Sequence, residues 1–463
     1  MQAPFDIAAD LDTPVSTYMK LRPLKPRFLL ESVEGGVRLA RYSFLGFGEA
    51  LELRLDDAGL AYDGQSFPRP GNQEELLGAF RDAVSRTPQL RPHIPELPFS
   101  GGLVGSAGYD TVRYFERLPN PPQLTDDPRA PEAAFLAPES LLVFDHLTRR
   151  IALLHAGQDT ERKELRGEVR RLLAGPVPKV SKTAKLGPVQ SSLSADEFMA
   201  AVERSKHYIA KGDIYQLVLS VRFAGLHGLE PFETYRALRL LNPSPYMFFC
   251  DLGDMQVVGS SPEALVRLRG RDASLRPIAG TRPRGADADE DRANEHSLLL
   301  DEKENAEHVM LVDLARNDLG RVAAGGSVRV EPYRAIERYS HVMHIVSGVQ
   351  GILRDDKDAF DLFAAVFPAG TLVGAPKVRA MELIDELEPI RRGVYAGTVG
   401  YFGNNGDMDQ AIAIRTLVFQ GDRFSFQAGA GIVADSIPDY EYREVLAKSA
   451  ILSRALAMAE EGL

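Results

Sequence analysis

Two acidic pairs carry the clearest chemical signal in the 463-residue chain. Glu304 and Glu307 lie three apart in DEKENAEH, and Glu441 and Glu444 repeat that spacing in EYREVLAK. Residues at i and i+3 of a helix share a face, so each pair aims two carboxylates to one side. Four acids from two helices suit a hard ion such as Mg2+, which takes oxygen ligands and keeps several waters. The same spacing decorates solvated helix faces, and Glu444 with Lys448 at i+4 reads equally as a surface pair. Gln427 to Ile432, QAGAGI, follows FSF, and its glycines let backbone N–H groups converge on an anion. Arg415, after AIAI, offers a two-pronged clamp for a carboxylate, or an edge arginine beside a bulge. His344 alternates with apolar residues in HVMHIVS, a pattern that serves a packed histidine as well as a working one.

These residues need a scaffold. The stretch Gly175–Ser194 is rich in Pro, Gly, Ser and Lys and reads as a boundary, dividing the chain into 1–175, a linker at 176–193, and 194–463. Before it, β-like runs (LARYSFLGFG, ALELRL, SLLVFD, RRIALLHA) alternate with the helical patterns EELLGAFRDAVSR and RKELRGEVRRLLAG. PNPPQLTDDPRAPEA reads as a long surface loop. After the linker, Ser194 and Glu197 have capping-box spacing ahead of a helix that Gly212 closes. Strands and helices then alternate irregularly, with helices predicted over Asp301–Leu314 and from Tyr440. The acid-rich stretch Asp287–Glu295 reads as a solvated loop. The fold class is α/β in the mixed α+β sense.

Composition narrows the function. With 65 acidic and 54 basic residues the net charge is −11, against the basic face that nucleic-acid binding requires. The single cysteine, Cys250, leaves no intramolecular disulfide or cysteine-based zinc site. The first residues carry no basic n-region, and no apolar run reaches the roughly 20 residues of a membrane span. The expectation is a cytoplasmic protein without membrane or nucleic-acid partners. The phosphate-loop, zinc-protease and serine-hydrolase patterns are missing.

The phrases occur in an order that resembles anthranilate synthase component I, of the chorismate-utilising enzymes. They include LLES (29–32), GDIYQLVLS (212–220), NPSPYMFF (242–249), GSSPEALVR (259–267), PIAGTRPRG (277–285) and KENAEHVMLVDLARNDLGRV (303–322). SHVMHIVSGV, FPAGTLVGAPK, GVYAGTVGY, AIAIRT, QAGAGIVADS and EYREVLAK follow. The resemblance implies a two-lobed sandwich of large antiparallel-rich sheets with helices outside. It implies a lyase in which ammonia adds at C2 of chorismate, the C4 hydroxyl leaves, and pyruvate is then eliminated to give anthranilate for tryptophan biosynthesis.

Residue by residue, the resemblance implies Glu307 and Glu444 as direct Mg2+ ligands, with Glu304 and Glu441 holding its waters. It implies Glu263 as the acid protonating the C4 hydroxyl, its pKa raised by burial. Tyr395 and Arg415 would hold the enolpyruvyl carboxylate. The backbones of Gly429, Ala430 and Gly431 would cradle the ring carboxylate, with Gly280, Thr281, Thr371 and Lys448 completing the pocket. His344 would serve pyruvate elimination. Gln216 stands where water-adding relatives place a lysine base, and Ala279 where aminodeoxychorismate synthases carry a lysine; both favour direct attack by ammonia at C2.

Two phrases resemble a feedback site for L-tryptophan. Leu29, Leu30, Pro245, Tyr246 and Met247 would form an apolar slot, with Glu31 and Ser32 addressing the amino acid's polar groups. The chain has no glutaminase machinery, so the resemblance implies a hetero-oligomer with a glutamine amidotransferase subunit. An aminodeoxychorismate synthase component and a catalytically silent tryptophan-sensing module remain open alternatives.

Overall fold

The computed structural model describes residues 4–32, 41–118, 130–179, 185–338 and 342–463. Most of the Pro-rich stretch read as a surface loop, part of the 176–193 linker, and His341 in HVMHIVS lie outside the described residues. Among the described residues, 21 strands join one hydrogen-bonded sheet and three form a smaller one. The two halves of the sequence interleave in it. Pro26–Glu31 pairs antiparallel with Tyr246–Asp251, and Gly102–Ala107 with Thr398–Gly403. Gln190–Ser191, inside the expected linker, pairs with Phe223 and Ala224.

Side-chain parity shows how this sheet becomes a sandwich. In Ala133–Asp145, Phe135 and Ala137 enter a helix-covered core while Ala134 and Leu136 face the other way. Beyond Ser140 the phase flips: Leu141 and Val143 join the cluster of Ala134 and Leu136, and Leu142 and Phe144 meet another set of helices. The partner strand Tyr42–Asp56 has a register shift between Phe47 and Ala50, where Gly48 has φ +86°. One extra residue on one side of a ladder kinks it and switches which side chains face inward. The two halves of the sheet therefore face each other across a strand-built core, with helices outside, the architecture the resemblance implies.

Two helices and a pair of strands position the candidate site. The helix Glu302–Gly320 is capped by Asp301, whose carboxylate accepts the N–H groups of Lys303 and Glu304 at 3.1 and 3.0 Å. It buries His308, Leu311, Val312, Ala315 and Leu319 at helical spacing, which leaves Glu304 and Glu307 beside the buried stripe. The C-terminal helix Pro438–Glu461 buries Val445, Ser449, Leu452 and Leu456 and places Glu441, Glu444 and Lys448 along its first turns. Between them, Gln216–Leu226 pairs along its length with Arg423–Ile432.

One reading needs correction. Asp287–Glu295 is not a loop but the start of the helix Ala288–Leu300. The Asp287 carboxylate accepts the N–H groups of Asp289 and Glu290, both at 2.9 Å, and the acids that follow sit at the positive end of the helix dipole. Helix-start chemistry resembles solvated-loop composition. Among the described residues no helix is long and apolar enough to cross a membrane.

Candidate functional site

Gly429 and Gly431 form the floor of the site. Val218 and Ser220 turn their N–H groups away from the Arg423–Ile432 strand, to the Val373 carbonyl and the Glu388 carboxylate. Antiparallel alternation leaves their register partners, Gly431 and Gly429, facing outward as well, whereas Ala430 bonds back to Leu219. The expected cradle of three backbones thus reduces to two outward N–H groups, because the ladder uses that of Ala430. The pairing with Thr416–Gln420 ends at Phe426, so nothing in that ladder covers this edge. Lys448 confirms the direction: its ammonium donates to the Gly429 carbonyl at 3.1 Å and pairs with Glu444 at 2.7 Å.

The glycines are there for space. A Cβ on Gly429 would stand 2.7 Å from the Tyr395 hydroxyl, and one on Gly431 would stand 2.8 Å from the Gln216 amide nitrogen. Gln216 in turn donates to Glu307 at 3.3 Å, which brings the first acidic helix to the glycine stripe. The second acidic helix arrives through Lys448 and through Glu441, which feels the charge of Lys303.

Among the described residues the four glutamates stand as two pairs, one on each acidic helix, rather than as a closed cage. Among the described residues no three acidic, histidine or cysteine side chains stand close enough to hold a metal ion by themselves. Burial raises the pKa of Glu304, with Glu307 pushing the same way while Arg282 opposes. Burial likewise raises Glu441, opposed by a hydrogen bond from Ser436 and reinforced by Glu444. Two carboxylate pairs, each with one partly buried member, fit a hard divalent cation, which uses one or two direct carboxylates and keeps its waters.

Glu263 occupies a different environment. It opens onto a recess of about 50 Å³ lined largely by apolar side chains, Leu275, Leu311, Leu314, Val366 and Ile412 among them, and its carboxylate accepts the Thr371 hydroxyl at 3.1 Å. Burial pushes its carboxyl up to about 7, against the opposing Thr371 bond, the direction expected of a proton donor near neutrality.

The small sheet supplies the third group. Ile278–Pro283 pairs with Val342–Val346, and a register shift at Gly280, φ +72°, turns the Gly280 carbonyl toward His344. Nδ1 of His344 lies 3.0 Å from that carbonyl and 3.1 Å from the exposed Thr281 hydroxyl. A proton on Nδ1, shared with the carbonyl, leaves Nε2 as the acceptor. Burial lowers the His344 pKa, and the charge of Arg415 acts in the same direction. Arg415 itself lies on an exposed turn with φ 49°, 3.4 Å from Asn242 Oδ1.

A separate cavity of about 550 Å³ gathers Leu30, Glu31, Ser32, Pro245, Tyr246 and Met247. Leu29 does not join them; strand alternation sends it into the helix-side core, where it is fully buried. The Glu31 carboxylate is already held by the Tyr235 hydroxyl at 2.5 Å and by Arg239 at 3.0 and 3.2 Å. Across the cavity Arg267 bonds Asp409 at 2.8 Å, and Tyr246 donates to the same carboxylate at 3.0 Å.

Sequence reading missed Arg239, Arg267 and Asp409 here, and the buried pair of Glu388 and Arg392 beside the glycine stripe. The one signal available for that pair is i,i+4 spacing, which an exposed pair shares.

Comparison with known proteins agrees with this architecture. The model of chorismate binding enzymes matches residues 25–454. The chain is 48% identical over 459 residues to anthranilate synthase component 1 of Thermus thermophilus, covering 98% of this chain and 97% of that one. It is 45% identical to the protein of the same name from Pseudomonas aeruginosa, covering 99% and 96%. The crystal structure of anthranilate synthase component I from Streptococcus pneumoniae superposes with a TM-score of 0.80 at 36% identity, covering 98% and 100%. A menaquinone-specific isochorismate synthase from Escherichia coli, at TM-score 0.70 and 19% identity over 96% and 92%, shares the fold.

Proposed function

Because the chain belongs to the chorismate binding enzyme family, we propose that it is the large subunit of an anthranilate synthase, converting chorismate and ammonia to anthranilate and pyruvate. Full-length relatives named anthranilate synthase component 1 support the reading. One observation carries the choice of nucleophile. Gln216, beside Glu307 at 3.3 Å, presents an amide at the glycine stripe. An amide cannot take a proton from water, whereas ammonia attacks without one being removed first. Ala279 offers no amine for a covalent adduct.

Each group then has a task that its surroundings suit. Glu263, half protonated near pH 7, gives its proton to the departing C4 hydroxyl, and the Thr371 hydroxyl orients it. The outward N–H groups of Gly429 and Gly431 bind the ring carboxylate, with Lys448 beside them. Tyr395 and Arg415 hold the enolpyruvyl carboxylate. Nε2 of neutral His344 serves the elimination of pyruvate, with Gly280 and Thr281 fixing the ring's tautomer. Glu307 and Glu444 would hold Mg2+ directly, and Glu304 and Glu441 its waters. Bound there, the ion supplies positive charge against the ring carboxylate.

The 550 Å³ cavity is the feedback site, where tryptophan's indole lies against Leu30, Pro245, Tyr246 and Met247. Ammonia comes from glutamine through a partner amidotransferase subunit. The test mixes the purified chain with chorismate, ammonium and Mg2+. Blue-fluorescent anthranilate and pyruvate are expected in equal amounts; an aminated product retaining the enolpyruvyl group, or no product, refutes the reading.

A further inference from the structure

We propose that the buried ion pair of Glu388 and Arg392 is a positioning element that sets Thr371 and Tyr395 against the strand Gln216–Leu226, an inference that rests on the functional reading above. Glu388 caps the C-terminus of the helix Lys377–Leu387, and Arg392 follows four residues later, beyond the helix; each is only 3% exposed. Oε1 of Glu388 accepts the Ser220 N–H at 2.9 Å, the Ser220 hydroxyl at 2.8 Å and Nη2 of Arg392 at 2.6 Å. Oε2 accepts Nε of Arg392 at 2.9 Å.

The rest of the guanidinium reaches two other segments. Nη1 donates to the Leu372 carbonyl and Nη2 to the Val218 carbonyl, both at 2.7 Å. Leu372 adjoins Thr371, the partner of Glu263. Val218 lies two residues beyond Gln216 and opposite Gly431. The guanidinium also sits 5.6 Å from the centre of the Tyr395 ring. Ser220, opposite Gly429, accepts the Gln427 amide at 2.7 Å. One ion pair thus fastens the turn that orients the acid, the tyrosine over the glycine stripe, and the strand paired with the stripe, which Gln427 joins through Ser220.

As a source of stability such a pair is weak, since desolvation offsets its Coulomb gain. What a planar guanidinium adds is fixed geometry: its fork of donors cannot be matched by the single nitrogen of lysine. Arg392→Lys keeps a cation for Glu388 yet cannot reach Leu372, Val218 and Glu388 together.

The experiment measures kcat, chorismate KM, thermal midpoint and pH profile at constant free ammonia for the full chain. The variants are Arg392→Lys, Thr371→Ala, and Arg113→Lys, whose arginine bridges Asp110 and Asp385. Arg392→Lys is expected to lose on the order of 100-fold in kcat, as displacements of about an ångström do. Its alkaline limb should move to higher pH together with that of Thr371→Ala, because both release Glu263 from the hydroxyl that favours its ionised form. The other charges at that recess, Arg276 and Asp318 with its Lys377 partner, stay in place. Arg113→Lys should lower the midpoint without moving the limb. A folded Arg392→Lys with wild-type kcat and limb overturns the proposal. If Arg392→Lys does not fold, Ser220→Ala decides: about a tenfold fall in kcat at unchanged KM, the size of one hydrogen bond, supports it, and wild-type kcat overturns it. A wild-type chain that makes no anthranilate refutes the functional reading, and the positioning role falls with it.

Discussion

Glu263→Gln isolates a single charge. The amide keeps a carbonyl oxygen for the Thr371 hydroxyl, which donates at 3.1 Å, so packing and hydrogen bonding persist. In the unfolded chain the carboxyl titrates near 4.5; in the fold it holds its proton to about 7. Between those values the native state binds more protons than the unfolded one, so stability falls as pH rises. At about 1.4 kcal/mol per pH unit the loss totals about 3 kcal/mol and is complete above pH 7. The glutamine variant has no such loss. Urea unfolding of both proteins from pH 4 to pH 8 should therefore show equal pH-dependence elsewhere but a growing advantage for the variant. That advantage is near zero at pH 4 and reaches about 3 kcal/mol at pH 8. Turnover should behave oppositely: the variant is inactive throughout, and wild-type activity at constant free ammonia falls about fifty-fold between pH 7 and pH 9 as the proton is lost. Parallel stability curves, or an active glutamine variant, would refute the assignment of Glu263 as a buried acid.

Gly431→Ala brings a methyl within 2.8 Å of the Gln216 amide; steady-state assays should show on the order of 100-fold lower kcat/KM with the thermal midpoint retained. Chelation should stop anthranilate formation and added Mg2+ restore it, while Glu307→Gln and Glu444→Gln should stay inactive at any Mg2+ concentration with unchanged circular dichroism. Calorimetry should detect tryptophan binding to the wild type. Arg239→Ala, which leaves the buried Glu31 carboxylate without its cation, should weaken that binding by roughly tenfold or more and lower stability by about 3 kcal/mol.

Much of this molecule is legible along the chain. Helix positions follow from neighbours three and four apart, so Glu304 with Glu307, and Glu441 with Glu444, share faces before any fold is known. The capping box at Ser194 and Glu197 forms as its spacing predicts. The identities of Gln216 and Ala279, which bear on the nucleophile, are properties of the sequence too. Other features arise only from contacts between distant segments. Which way a glycine N–H in QAGAGI points depends on cross-strand register, and that register turns Ala430 into the ladder and Gly429 and Gly431 out of it. The protonation of Glu263 depends on the apolar side chains that close over it from four separate stretches of chain. Glu388 and Arg392 have the spacing of a solvated pair, and burial alone converts them into a fastening between a site strand and the Thr371 turn. Local periodicity is fixed by backbone geometry over a few residues, whereas solvation and hydrogen-bond accounting are settled only when remote surfaces exclude water together.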